Sequence, residues 1–287
     1  MPGKLLLETL KAGAGYLEKH GVEEARLNME HLLAHVLQCR RLELYLRFGE
    51  LLQEGDLARL RELVKRRGEG EPLQHLLGTV EFCGTELVSD HRALVPRPET
   101  ERLVELLIEK FQDQPPRKVL DVGTGSGCIG LSLAKAWIKH GLDFSLIDVS
   151  EDALELARLN ASRLGLNGTS IRFLRSDLFE KVDGEFDLIV ANLPYIPACE
   201  IPSLSPEVRR DPVLALDGGP VGTEIIERLI GNCPARLRVD GWIALEIGYD
   251  QASAVAGFCE AAGLSGIGVE KDLGGIDRFV FACRAAT

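Results

Sequence analysis

Leucines recur at three-to-four spacing in LLLETLKAGAGYL, in MEHLLAHVL and in DLARLRELVKRR. That is the period of amphipathic helices, and short polar breaks around Gly21 and between Gly49 and Gly55 separate them. Residues 1–78 are therefore predicted to form a small helical bundle. Asp56 is the expected N-cap of the third helix and Gly68 its stop. After Glu71-Pro72 the run TVEFCGTELVSD is strand-like, and residues 79–95 read as an extended linker or hairpin.

From about residue 98 the pattern alternates. PETERLVELLIEKF is helical, RKVLDVG is a short buried-type strand, CIGLSLAKAWIKH a helix, and FSLIDVS a strand. EDALELARLNASRLG (helix), SIRFLRSD (strand) and FDLIVANLPY (a strand running into a Pro-Tyr turn) follow. A Pro-rich stretch precedes the helix TEIIERLIGNCPARL, the strand GWIALEIG, the helix QASAVAGFCEAAG, and two strands, GIGVEKDL and DRFVFACR. Alternation of this kind predicts an α/β domain over residues 96–287, a mostly parallel, Rossmann-like sheet with helices on both faces. The last two strands have no helix between them, so they should form an antiparallel hairpin at one edge.

Composition narrows the picture. Hydrophobic residues are 45% of the 287, enough for ordinary cores. No stretch approaches the ~18–20 apolar residues of a membrane helix, and the charged, leucine-rich N-terminus reads as an amphipathic helix rather than a signal peptide. A cytoplasmic protein with no membrane partner is expected. The seven cysteines are odd in number and far apart, suiting reduced thiols rather than a disulfide or metal framework. His31 and His35 can share a helix face, but Leu32 stands where a zinc protease has glutamate, so no metal is expected. The net charge is −11; residues 1–80 carry 12 basic and 12 acidic side chains, and the remainder 21 against 32. That acidic portion argues against a stable nucleic-acid partner. The one dense basic cluster, Arg59, Arg61, Lys65, Arg66 and Arg67, reads as a solvated helix face or as a docking surface for a protein or RNA.

Candidate chemistry begins at Asp121-Val122-Gly123-Thr124-Gly125-Ser126-Gly127, a strand-to-helix turn where an open α/β sheet binds ligands. The glycines let backbone approach a ligand, and the following helix offers free N–H groups. Gly125 to Gly130 also spells GxGxxG, the dinucleotide fingerprint. The preceding acid and the glycines at every second position favour S-adenosylmethionine over NAD. Asp121 can accept from the methionine ammonium. Asp148, at the next strand end, can bind ribose hydroxyls or cap the helix that follows, a task Ser150 can also perform. Asp177 can accept from the adenine amine, with Leu178 or Phe179 against the ring.

The second signal is Asn192-Leu193-Pro194-Tyr195, which follows its strand and borders both cofactor and acceptor sites. An amide or aromatic amine nitrogen is a poor nucleophile with two N–H donors. The Asn192 side-chain oxygen and the Leu193 carbonyl can accept both, turning the lone pair toward a sulfonium methyl. Tyr195 can stack on a planar acceptor. The nitrogen can lose its proton after transfer, so no prior general base is required. The bland reading is an ordinary Asn-x-Pro turn.

Several motifs then occur in order. Glu71 to Gly78 resembles an EPxxYIxG segment with histidine in place of tyrosine. Val95 to Glu101 contains PRPETE, Asp211 to Gly219 resembles EPxxALxGG, and Lys271 to Arg278 resembles a closing strand motif. Together they resemble release-factor glutamine N5-methyltransferases of the PrmC/HemK type over nearly the whole chain. The resemblance implies a class I S-adenosylmethionine-dependent methyltransferase sheet, and an N-terminal domain that helps grip peptide chain release factors. It also implies that the glutamine of their Gly-Gly-Gln motif enters at Asn192 to Tyr195, with Arg97, Glu99 and Thr100 bordering the pocket. This chain has Leu193 where the family usually has proline. Asn-Leu-Pro-Tyr also resembles the motif of ribosomal RNA adenine dimethyltransferases, so an adenine N6-methyltransferase acting on RNA or DNA is the alternative. A glutamine methyltransferase of a ribosomal protein is a nearer one.

Overall fold

The computed structural model describes residues 4–286. The chain divides into two compact units, one running to Thr79 with Ser205–Arg210 added, the other comprising Val80–Leu204 and Asp211 onward.

In the first unit, β1 (Lys4–Leu5) leads into α1 (Leu6–Lys19) and α2 (Ala25–Val36). A 3-10 turn at Arg41–Leu46 and β2 (Leu51–Leu52), antiparallel to β1, precede α3 (Glu54–Gly68) and α4 (Leu73–Leu77). Leu10 and Leu17 from α1, Met29, Leu32 and Leu33 from α2, and Leu57 and Leu60 from α3 share one buried core, as the leucine spacing requires. Asp56 is not the N-cap of α3. The helix starts two residues earlier, behind Gln53, and Asp56 lies in its first turn, where a carboxylate still faces the positive end of the helix dipole. The basic cluster on α3 is largely answered by acids. Arg61 meets Glu54, Arg66 meets Glu71 at 2.5 Å, and the buried Arg67 donates to Asn28 and to Glu207. Arg67 is thus an interior residue, not part of a solvated face.

The second unit opens at Val80 within a hairpin formed by β3 (Thr79–Phe82) and β4 (Thr85–Val88). Its loop residues Cys83 and Gly84 both have positive φ, 48° and 63°, which matches the right-handed strand twist. Then come α5 (Pro98–Lys110), β5 (Lys118–Val122), α6 (Cys128–Ala136), β6 (Asp143–Asp148), α7 (Glu151–Arg163), β7 (Ser170–Arg175) and β8 (Phe186–Asn192). The unit ends with α8 (Glu224–Asn232), β9 (Leu237–Glu246), α9 (Ala252–Ala261), β10 (Ser265–Lys271) and β11 (Asp277–Cys283). Helices α6 and α8 are shorter than the patterns predicted. Past each, the chain continues as a 3-10 turn, Ile138–His140 and Cys233–Ala235. In the second of these Pro234 supplies no N–H to continue an α-helix.

The seven-stranded sheet has the order β10-β11-β9-β8-β5-β6-β7. Strands β9, β8, β5, β6 and β7 are parallel, and β11 is antiparallel to both β9 and β10. Period-two alternation builds two cores. Leu188, Val190, Ala244, Phe279 and Phe281 face Leu103 of α5 and Leu131 and Leu133 of α6. Ile189, Ala191, Ile243, Leu245 and Val280 face Ile226 and Leu229 of α8 and Val255 and Cys259 of α9. The chain runs outward from β5 through β6 to β7, then returns to place β8 on the other flank of β5. That reversal opens a crevice at the carboxyl ends of β5 and β8. No helix among the described residues is long and apolar enough to cross a membrane.

Candidate active site

A cavity of about 300 Å³ occupies this crevice, walled by Gly123 to Ser126, Asp148, Asp177, Leu178, Asn192, Leu193 and Pro194, with Arg97 and Thr100 at its side. The two signals of the sequence therefore share one pocket.

The glycine loop turns because Gly123, Gly125 and Gly127 take φ of 69°, 54° and 83°, a region that side chains disfavour. At Gly123 a Cβ would also stand 2.8 Å from Leu193 Cδ2, so the loop and the Asn-Leu-Pro-Tyr segment pack directly together. Gly130, which completes the dinucleotide-like pattern, has a different task. Its N–H donates to Asp121 Oδ2 at 2.9 Å, and a Cβ there would meet that oxygen and Leu146. The third glycine thus lets α6 lie close on the sheet.

Asp121 is 1% exposed and does not wall the cavity. Its Oδ2 also accepts from Thr124 Oγ1 at 2.6 Å, so the carboxylate braces the loop from below. Oδ1 is buried with no partner among the described residues. Burial pushes this acid up to about 6. Asp148 does line the cavity. Its Oδ2 accepts from Gly125 N–H and its Oδ1 from Ser150 N–H, both at 2.9 Å, and burial again raises its pKa. Ser150, not Asp148, caps α7, accepting from Ala153 N–H. Asp177 lines the cavity while paired with Arg228 at 3.0 Å. Leu178 sits beside it at φ 45°, in a turn latched by Ser176, whose hydroxyl donates to the Leu178 carbonyl and accepts from Lys181 N–H. Phe179 is buried in the core.

Asn192 ends β8 and lies opposite Glu246 at the end of β9. Its Nδ2 donates to Thr100 Oγ1 at 3.2 Å, and that hydroxyl donates to Glu246 Oε2 at 2.7 Å. Thr100 and Glu246 are each 2% exposed. Burial pushes Glu246 up to about 7, against the lowering effects of Thr100, Arg278 and Asn192. Leu193 is buried. Tyr195 is half-buried against the core and outside the cavity wall, its carbonyl accepting from Gln251 Nε2 at 2.8 Å. Arg97 is held by Asp211 at 2.7 Å, and the other Asp211 oxygen accepts from Val95 N–H. Glu99 is exposed and outside the wall. Sequence reasoning gave Glu246 and Asp211 no site role. The usable signals were an acid closing the apolar strand GWIALEIG and the place of Asp211 at the head of the EPxxALxGG-like segment.

The loop, two carboxylates at successive strand ends and an apolar rim suit an adenosine-bearing cofactor. The unpartnered Asp121 Oδ1 adds a buried negative pole beneath the same loop, in keeping with a cationic sulfonium.

Comparison with known proteins agrees with this geometry. The family model described as the PrmC N-terminal domain matches residues 8–78, and that of the methyltransferase small domain matches residues 99–201. A release factor glutamine methyltransferase from Geobacter sulfurreducens is 40% identical over 268 residues, covering 93% of this chain and 92% of that protein. One from Deinococcus radiodurans is 39% identical over 280 residues, covering 98% and 99%. Among solved structures, a T. thermophilus 16S rRNA methyltransferase in complex with AdoMet and guanosine shares the fold. It has a TM-score of 0.51 at 20% identity, over 72% of this chain and 49% of that one. With both halves matched and such identity sustained along the chain, this protein is a member of the release factor glutamine methyltransferase family.

Proposed function

We propose that this chain transfers the methyl group of S-adenosylmethionine to the side-chain amide nitrogen of the glutamine in the Gly-Gly-Gln motif of peptide chain release factors, in the cytoplasm. The observation that carries the reading is Asn192, held at the cavity rim with its amide NH2 directed inward to Thr100. Its Oδ1 is thereby left to accept from an incoming amide. The Leu193 carbonyl takes the second N–H, and the paired acceptors hold the nitrogen with its lone pair toward the cofactor. When bound, the cofactor supplies an electrophilic methyl on a sulfonium. Asp148 receives the ribose hydroxyls on the lone pairs its two backbone contacts leave over, and Asp177 and Leu178 border the base. Asp121, Thr124 and Ser126 keep the loop in shape. Pro194 walls the acceptor slot. Tyr195 acts from behind it rather than as an exposed stacking face. Arg97, fixed by Asp211, borders the entrance. Residues 1–78 grip the release factor, and residues 96–287 carry the chemistry.

The adenine reading needs a basic path to the site. The acid-paired helix α3 does not favour it. Methyl transfer from labelled S-adenosylmethionine is to be measured with purified release factor, ribosomal protein and ribosomal RNA offered side by side. Label on the Gly-Gly-Gln glutamine, absent when that glutamine is alanine, is expected. Label confined to RNA adenine or to a ribosomal protein overturns the proposal.

A further inference from the structure

Behind Asn192 stands a buried chain of three polar groups drawn from three elements: Asn192 at the end of β8, Thr100 in the first turn of α5, and Glu246 at the end of β9. We infer that Glu246 is a positioning residue that acts through Thr100 to set which end of the Asn192 amide faces the acceptor nitrogen. The inference rests on the glutamine-transfer reading above.

The argument is one of hydrogen-bond direction. An ionised carboxylate only accepts, and a threonine hydroxyl has one proton to give. With Glu246 accepting at 2.7 Å, the Thr100 proton is committed, and its oxygen must accept. Asn192 must then turn its NH2 inward, at 3.2 Å, and its Oδ1 outward. A planar amide has no third choice. A carboxylate thus dictates, through Thr100 and through its own side-chain interaction with Asn192, that the site presents an acceptor to the two N–H groups of a substrate amide. Protonate Glu246, or make it glutamine, and the direction can reverse. Residue 246 donates to Thr100, Thr100 donates to Asn192 Oδ1, and the Asn192 NH2 meets the acceptor NH2, donor against donor. Thr100 and Glu246 are both 2% exposed, so the inner end of the chain is shielded from bulk solvent.

The arrangement also explains an otherwise costly feature, an acid buried at the end of an apolar strand. The ionisable groups facing it are Arg278 from β11, Glu99 from α5, Cys128 from α6 and Tyr195 just past β8. Arg278 favours the charged form and Glu99 opposes it, and burial leaves the group titrating near 7. Asn192 should therefore be correctly oriented above neutrality and lose that orientation as the pH falls.

The test is single-turnover methyl transfer to a Gly-Gly-Gln release factor between pH 6 and 8.5, on wild type, Glu246→Gln and Thr100→Val, with cofactor affinity measured by calorimetry. Wild type is expected to lose rate as pH falls through about 7. Both variants should bind cofactor within a few-fold of wild type yet transfer methyl roughly 10²-fold more slowly, as when one preorganised transition-state contact is lost. Glu246→Gln should also lose the inflection near neutrality. A flat wild-type profile overturns the inference, as does a Glu246→Gln or Thr100→Val enzyme of wild-type rate. Thr100→Val, which keeps the carboxylate and removes only the intermediate hydroxyl, decides if Glu246→Gln fails to fold. Absence of any transfer by wild type at pH 8.5 counts against the glutamine reading itself, so the two failures are distinguishable.

Discussion

Asn160 offers a sharp test of how the glycine loop is held, because it lies outside the cavity and yet touches the loop. It is fully buried in α7. Its Oδ1 accepts from Val88 N–H at 2.7 Å, and its Nδ2 donates to the Val88 carbonyl at 3.2 Å and to the Ser126 carbonyl at 2.9 Å. One side chain thus ties the hairpin strand β4 and the glycine loop to one helix. Asn160→Ala strands three backbone groups. A buried group left unpaired costs about 1–3 kcal/mol, so with partial relaxation the loss is about 3–5 kcal/mol. At roughly 2–4 °C per kcal/mol for a unit of this size, the melting temperature should fall by roughly 6–20 °C. Asn160→Asp is the stricter variant. It keeps the acceptor for Val88 N–H but sets a carboxylate oxygen against two carbonyls, so it should destabilise at least as much as alanine despite its matching size. Because the Ser126 peptide belongs to the cofactor loop, both variants should also bind S-adenosylmethionine more weakly. Calorimetric melting and titration check both points. An Asn160→Ala protein melting within 2 °C of wild type, or an Asp variant as stable as wild type, refutes the reasoning.

Asn192→Ala should reduce methyl transfer by at least roughly 10²-fold, the scale of one lost transition-state contact, with cofactor affinity and melting temperature little changed; normal turnover would remove Asn192 from the acceptor site. Asp148→Ala frees the N–H groups of Gly125 and Ser150 and removes the ribose acceptor, so titration calorimetry should show cofactor affinity lower by on the order of 10–100-fold, about 1.4–2.8 kcal/mol. Unchanged affinity would refute the ribose assignment. Glu246 titrates near 7 in the fold against an ordinary value of 4.5. Between those values the folded state holds the extra proton, so this group's contribution to stability is full below about pH 4.5 and is lost as pH rises to about 7. Glu246→Gln should therefore narrow the melting-temperature gap between pH 5.5 and pH 8, and gain on wild type at pH 8 while transferring methyl more slowly. An unchanged gap would contradict the raised value.

Activity and stability are expected to pull apart at Glu246 because its partners come from distant elements of the fold, and that is also why this part of the site was hidden in the sequence. What was legible came from local chain. The sheet follows from buried runs such as DLIVA and from alternating helices, and its antiparallel edge from the missing helix between β10 and β11. Gly123 to Ser126 and Asn192 to Pro194 line the crevice and stood out in the sequence because each segment is contiguous and follows the end of a strand, while Tyr195 turns away from the cavity. Glu246, Thr100 and Asn192 are joined only by the fold, Thr100 lying 146 residues from Glu246 and 92 from Asn192. Nothing in local spacing announces such a chain. Arg67 failed for the same reason. On its helix it continues a basic run, but its partner Glu207 arrives 140 residues later, in the Ser205–Arg210 segment that packs with the helical unit. Asp56 failed on a finer scale, since Gln53, with no side-chain cap, starts the helix earlier than capping preference suggests. Local pattern reveals the segments that line the crevice. Which way their side chains are turned depends on buried partners that carry no local signature, and on the proposed reading the direction of one hydrogen bond at Asn192 separates a site that accepts from an amide from one that repels it.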